Sequence, residues 1–151
     1  MAVKGLDKFN ARMKRIPVAA RKAAIASVIE GAEEVAGLQK RLAPVDQGDL
    51  RDSIHVTPPG QSTPPYSQPS GQRVAKPTEA IITAGNTKVR TAHLVEFGTA
   101  PHINGGWAAG TQNPGTKPSP FFFPAWRALR RRVRSRVSRN ITKAIKSEFK
   151  K

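Results

Sequence analysis

The C-terminal quarter most constrains what this chain can fold into. Trp126, Leu129, Val133, Val137, Ile141, Ile145 and Phe149 recur every three or four residues, the spacing that lines one face of an α-helix. The pattern predicts a helix of roughly 25 residues with one apolar stripe. Its other faces are basic: from Arg127 to Lys151 eleven Lys and Arg stand against one acid, Glu148. Burying such side chains yields about 1.5–3 kcal/mol each, which can hold the helix down against its own charge repulsion. Pro124 suits a first helical turn, and Ser119-Pro120 offers an earlier cap.

A second stripe lies near the N-terminus. From Val18 to Leu42 the chain is rich in alanine, with Ile25, Val28, Ile29, Ala32, Val35, Leu38 and Leu42 on one side. A helix of this length spans about 37 Å. Gly31 and Gly37 either weaken it, by about 1 kcal/mol each against alanine, or let a neighbour pack closely. Leu6, Phe9, Met13 and Ile16 predict a shorter helix before it, with Pro17 as a break or a new start. Ala43-Pro44 ends the long helix, because the residue before proline disfavours the helical conformation.

Between the two stripes the sequence breaks up. Asp46 and Gly48 carry turn chemistry; Leu50 and Ile54 are one helical turn apart. His55-Val56-Thr57 reads as a short strand, and Glu79 to Ala84 as another, closed by a Gly85-Asn86 turn. Val89 to Phe97 reads as a strand, or a strand plus a short helix. Most of the thirteen prolines and twelve glycines fall between Pro58 and Pro124. Residues 58–77 and 100–119 are therefore expected as extended loops or arms. The whole is expected to be one domain over 1–151, of the α+β class. It would have a long N-terminal helix, a small antiparallel sheet with long Pro/Gly-rich loops, and a long basic C-terminal helix.

The segment His93 to Thr99 is where the middle of the chain is expected to enter the core, with Leu94, Val95 and Phe97 inward and Gly98 turning the backbone sharply. Glu96 is the polar exception, and its simplest reading is an edge carboxylate facing water or an arginine.

Charge supplies the strongest hint about partners. The chain carries 26 Lys+Arg against 10 Asp+Glu, a net +16. Eight of the acids lie between Glu30 and Glu96, so two basic ends flank a milder middle. Such ends attract polyanions, whether nucleic acid or an acidic protein face. Arg127, Arg130, Arg131, Arg132, Arg134, Arg136 and Arg139 are the candidate contacts to a partner or to DNA. The same helix could also be a solvated face that holds the fold to a partner, or lie on a membrane surface, though its stripe is needed for the core. Contact with DNA would be made mainly to phosphates, blind to sequence and sensitive to salt.

Catalytic and metal chemistry is not readable. The chain has no cysteine, no phosphate-binding glycine loop, no HExxH and no GxSxG elbow. His93 and His102 could meet across the Gly98 turn, and Asp46, Asp49 and Asp52 are spaced by three; loop histidines and turn-capping aspartates are the simpler accounts. Glu33-Glu34 are expected to be solvated. No catalytic residue, metal or cofactor is expected. No apolar run reaches the roughly 18 residues of a membrane span. The N-terminus lacks the apolar core of a secretory signal, so synthesis in the cytoplasm of the host is expected.

Three blocks, in order, carry a resemblance. They are Ala43-Pro44-Val45-Asp46 with Gly48, Leu50-Arg51 and Ser53-Ile54 after a long helix; then Ala92 to Thr99, including Glu96, Phe97 and Gly98; then Pro120-Phe121-Phe122 with Pro124-Ala125 opening the last helix. The chain resembles the neck proteins of long-tailed bacteriophages, the head–tail joining or tail-completion family, over roughly residues 6–149. That resemblance implies an α+β fold and no catalysis. It implies a homo-oligomeric ring, expected to be sixfold, in the virion between the head connector and the tail terminator or tail tube. Contact with DNA in the channel would follow from the basic helix. A tail terminator or stopper ring of the same neck, and a sequence-nonspecific nucleic-acid-binding protein, are the competing readings.

Overall fold

The computed structural model describes residues 6–150. Helix α1 (Leu6–Leu42) leads to a single-turn helix α2 (Asp49–Asp52) and strand β1 (His55–Thr57). A long loop then reaches strand β2 (Ile81–Thr83) and the short helix α3 (Ala92–Phe97). A small hairpin of β3 (His102–Ile103) and β4 (Gln112–Asn113) precedes helix α4 (Phe122–Lys150). The expected α+β architecture is present.

Pro17 neither breaks nor starts a helix; it sits inside a continuous α1. The carbonyl that its missing N–H would leave unpaired belongs to Met13, a residue 48% exposed, where water can satisfy it. The side chains of Leu6 and Phe9, expected on the stripe, lie outside the described residues.

Helices α1 and α4 run antiparallel along each other, the largest contact in the molecule. The register is fixed by polar rungs between half-buried faces. Asn140 Nδ2 donates to Ser27 Oγ at 2.8 Å, Gln39 Nε2 donates to the Phe122 carbonyl at 3.1 Å, and Arg15 lies 3.8 Å from Glu148. Gly31 marks the closest approach: a Cβ there would sit 2.5 Å from Val133 Cγ1. Its role is therefore close packing, whereas Gly37 faces open space apart from Arg41 at 3.9 Å.

The stripes are buried less evenly than their periodicity predicts. On α1, Ala32, Val35 and Ala36 are buried, but Leu42 is 45% exposed. On α4, Val133, Val137, Ile141 and Ile145 are half-buried, while Trp126 and Phe149 are 40% and 54% exposed. One helix lying on one other covers only the centre of each stripe; its ends need further partners.

The core gathers at one end of this brace. Ala36 of α1, Ala43 just beyond its end, Ile54, Ala84, Ala92 of α3 and Phe121 form it, with Leu50, Val56, Ile82, Val95 and Phe122 packed around. Strands β1 and β2 pair antiparallel with His55 opposite Thr83 and Thr57 opposite Ile81. The turn residues behave as their chemistry dictates: Gly48 caps α2 with φ +93°, and Asn86 Oδ1 accepts from the backbone N–H of Lys88 and Val89. Residues 58–77 contain neither helix nor named strand, yet they fold onto themselves. Ser62 bridges to Val74, and Gln68 bridges to Ala84 beside β2. The buried Thr63 hydroxyl donates to the Gly71 carbonyl at 2.8 Å.

Candidate functional site

Two features stand out as sites: a buried joint where α3 meets α4, and the basic face of α4.

The joint depends on the helical state of residues 92–97. As a helix the segment presents Ala92 and Glu96, four apart, to the interior, and both are buried. Leu94 and Phe97, expected inward, are instead 38% and 65% exposed. Three apart, they share the helix face opposite Ala92 and Glu96 and so turn to solvent. Gly98 ends α3 at φ +73°, ψ −179°, and its N–H donates to the Leu94 carbonyl at 2.8 Å. That region of backbone space is essentially confined to glycine.

Glu96 is neither at an edge nor paired with an arginine. It is 5% exposed and points at the start of α4. Its Oε2 accepts from the backbone N–H of Phe121 and of Phe122, each at 2.8 Å, and its Oε1 accepts from Phe123 at 3.1 Å. The first N–H groups of a helix have no partner within it, and the positive end of the helix dipole favours an anion there. A carboxylate from another element thus does the work that Ser119 was expected to do locally. Ser119 instead gives its backbone N–H to Val95 O at 2.8 Å. Pro120 is exposed just ahead of the fully buried Phe121, and Pro124 lies in the first turn, where its missing N–H costs nothing. Gln39 joins the same place from α1 through the Phe122 carbonyl. Polarity concealed the role of Gln39 and Glu96 in the sequence; the only signal was an unexplained polar residue at a core-facing helical position.

The arginines divide into two sets. Arg136, with a side chain 17% exposed, pairs with both Glu30 and Glu34 of α1. Arg132 Nε lies 3.1 Å from Glu34. Glu34, expected to be solvated, is thus half-enclosed between two guanidinium groups, while Glu33 is exposed. The structure turns Arg127, Arg130, Arg131, Arg134 and Arg139 to solvent, and among the described residues none of these makes an ion pair. Arg139, Lys143, Lys146 and Lys150 continue the basic face toward the end of α4.

The remaining candidates have local partners or face solvent. Asp46 is exposed, and Asp52 pairs with its neighbour Arg51 at 3.0 Å, whose hydrogen bond holds the carboxyl below its ordinary range. His102 Nδ1 lies 3.0 Å from the Ala100 carbonyl. Among the described residues no group of three or more His, Asp or Glu side chains is placed to hold a metal ion, and no helix is long and apolar enough to cross a membrane.

Such a molecule is an α+β scaffold: two long helices brace a small sheet, and an inter-element carboxylate locks the second helix to the core. The chain belongs to the HK97-gp10-like family, whose model, described as "Bacteriophage HK97-gp10, putative tail-component", matches residues 7–98. That span is more than half of the chain, from α1 to the glycine that ends α3. The family is one of phage tail components. No curated protein and no solved structure matches the chain.

Proposed function

We propose that this protein is a ring-forming structural subunit of the phage neck, joining the head connector to the tail tube as a tail-completion or head–tail joining protein. The reading takes it to act by docking, to copies of itself and to adjoining rings, and not by catalysis. The observation that carries it, beyond the family, is the division among the arginines of α4. Arg132 and Arg136 serve the α1–α4 brace, and Arg127, Arg130, Arg131, Arg134 and Arg139 are left facing outward on a rigid helix. A row of unpaired cations on a rigid rod suits a polyanion, the DNA of the channel or an acidic face on the next ring.

The test is to change these five arginines to glutamine together, leaving Arg132 and Arg136 in place, and to measure particle assembly and DNA retention. The expected result is a folded subunit with particles that fail to join head to tail or that lose DNA. Normal virions from the substituted chain would refute the reading. A salt titration of the isolated chain on DNA separates a free nucleic-acid-binding protein from a ring component: tight, steeply salt-dependent binding by the monomer would favour the former.

A further inference from the structure

We infer that the β3–β4 hairpin is an assembly arm whose tip, Trp107, seats in the groove between α1, β2 and α4 of a second copy of this chain. The inference rests on the ring reading above and specifies how its subunits hold one another.

The arm is built to project. At its base Thr99 and Thr116 bridge through backbone bonds in both directions, at 3.0 and 3.1 Å. Two glycines make that pinch possible. A Cβ on Gly98 would meet the Thr116 carbonyl oxygen at 2.5 Å, and one on Gly115 the Thr99 carbonyl oxygen at 2.3 Å. Beyond the base, none of residues 99–120 is buried. The tip is nevertheless ordered from within. Asn104 exchanges backbone bonds with Thr111 and Gly110, its Nδ2 donates to Thr111 Oγ1 at 2.9 Å, and that hydroxyl donates to the Ala108 carbonyl at 2.7 Å. On this preformed loop Trp107 is fully exposed (101%), with Ile103 at 72%. A rigid, self-satisfied turn holding a bare indole loses little freedom on docking, and tryptophan is the residue type that most often anchors an interface.

The same molecule has an unfilled apolar groove of about 480 Å³, away from the arm. Val28 and Ala32 of α1, Ile82 of β2, and Trp126, Val137 and Ile141 of α4 line it, and Arg134 is its one charged lining residue. It is also where the half-exposed Trp126 leaves the α4 stripe uncovered.

Charge selects a second copy as the occupant. With a net +16, most faces of two such chains repel each other. Residues 99–120 carry a single formal charge, Lys117. The arm is therefore the part of this chain that can approach another copy without that penalty, and Arg134 at the groove offers a cation to the face of an indole. Arm and groove are different surfaces, so the contact is head-to-tail, the type that closes into a ring when the rotation permits.

The experiment uses the full chain, which has no native cysteine. Ala109→Cys and Ser138→Cys, the former exposed at the tip beside Trp107 and the latter exposed on the groove rim, are combined and oxidised. The expected product is a ladder of covalent oligomers ending at the ring. Either single variant should give dimers at most, and Ala109→Cys with Ser147→Cys, off the groove, should give no ladder. Independently, Trp107→Ala should weaken self-association roughly ten- to a hundredfold by sedimentation, the loss expected from one large buried side chain. A disulfide formed within one chain, tip-to-tip dimers alone, or wild-type-like association of Trp107→Ala would overturn the arm. If the wild type forms rings that are unaffected by these changes, the ring reading stands and the arm falls. A wild type that stays monomeric alone and in particles removes both. Normal rings from Trp107→Ala that fail only to join particles would assign the arm to a different virion protein and so overturn its docking on a second copy.

Discussion

Replacing Glu96 by alanine should be among the most damaging single changes available in this chain. The side chain receives the backbone N–H groups of Phe121, Phe122 and Phe123 at 2.8, 2.8 and 3.1 Å, and it is buried. A hydrogen bond to a charged group contributes about 1.5–3 kcal/mol net, but bonds to one carboxylate are not additive. An ordinary N-cap loss costs about 0.5–2 kcal/mol where water can take over. Here the Phe121 N–H is buried and loses its partner without a substitute, while those of Phe122 and Phe123 are partly buried. The loss should therefore exceed the ordinary cap and come to about 3–5 kcal/mol. Against a total of about 5–15 kcal/mol, that is enough to threaten the fold. In urea, with a slope of about 2 kcal/mol per molar, the midpoint should drop by about 1.5–2.5 M. Glu96→Gln keeps one acceptor oxygen and the shape but sets an amide donor against an N–H, so it should fall between wild type and alanine. A loss under about 1 kcal/mol for alanine, or a glutamine variant less stable than alanine, would refute the cap.

Two further outcomes follow from the brace and the loop. Gly31→Ala should destabilise although alanine is the better helix former by about 1 kcal/mol, because its Cβ would lie 2.5 Å from a stiff β-branched neighbour and overpacking costs about 1–3 kcal/mol. Adding Val133→Ala should recover part of the loss, and Gly37→Ala, which meets only Arg41 at 3.9 Å, should be neutral or stabilising; thermal melts of the four chains decide. Hydrogen bonds from Arg73 and from the Lys76 N–H lower the Glu79 carboxyl from 4.5 to about 2. The folded form thus gives up its proton more readily than the unfolded form, so this contact stabilises above about pH 4.5 and is lost as pH falls toward about 2. Proteolysis of the 58–77 loop should rise across that window, and Glu79→Gln should make cleavage high and flat there.

The helices were legible because their signal is local and repeated. Stripes running from Val18 to Leu42 and from Trp126 to Phe149 required long rods, and both are present. Strand β1 was legible to the residue, since His55-Val56-Thr57 is bounded by a turn and by prolines. Two kinds of feature were not. Pro17 is a breaker by composition, yet an exposed site on a long helix tolerates it because solvent replaces the lost bond. Glu96, Gln39 and Glu34 look solvated because charge and amide groups normally are. Their partners, Phe121 to Phe123, the Phe122 carbonyl, and Arg132 with Arg136, are between 25 and 102 positions away. Periodicity cannot report a partner that only the fold brings near.

That distance bears on how the two parts of the chain depend on each other. The match to the family model ends at Gly98, and the arm and α4 come after it. Yet the groups that fix α4 all lie inside that region: Glu96 at its N-terminus, Gln39 beside it, Glu30 and Glu34 along its middle, and Ser27 toward its end. The matched region thus supplies a socket, and α4 is the rod held in it. Its inner face is constrained by these polar rungs and by Gly31, while among the described residues its outer arginines make no ion pair. Inward changes on α4 should therefore lower stability, whereas outward changes should alter docking alone. A chain built this way can change its neighbours in the virion without rebuilding its core.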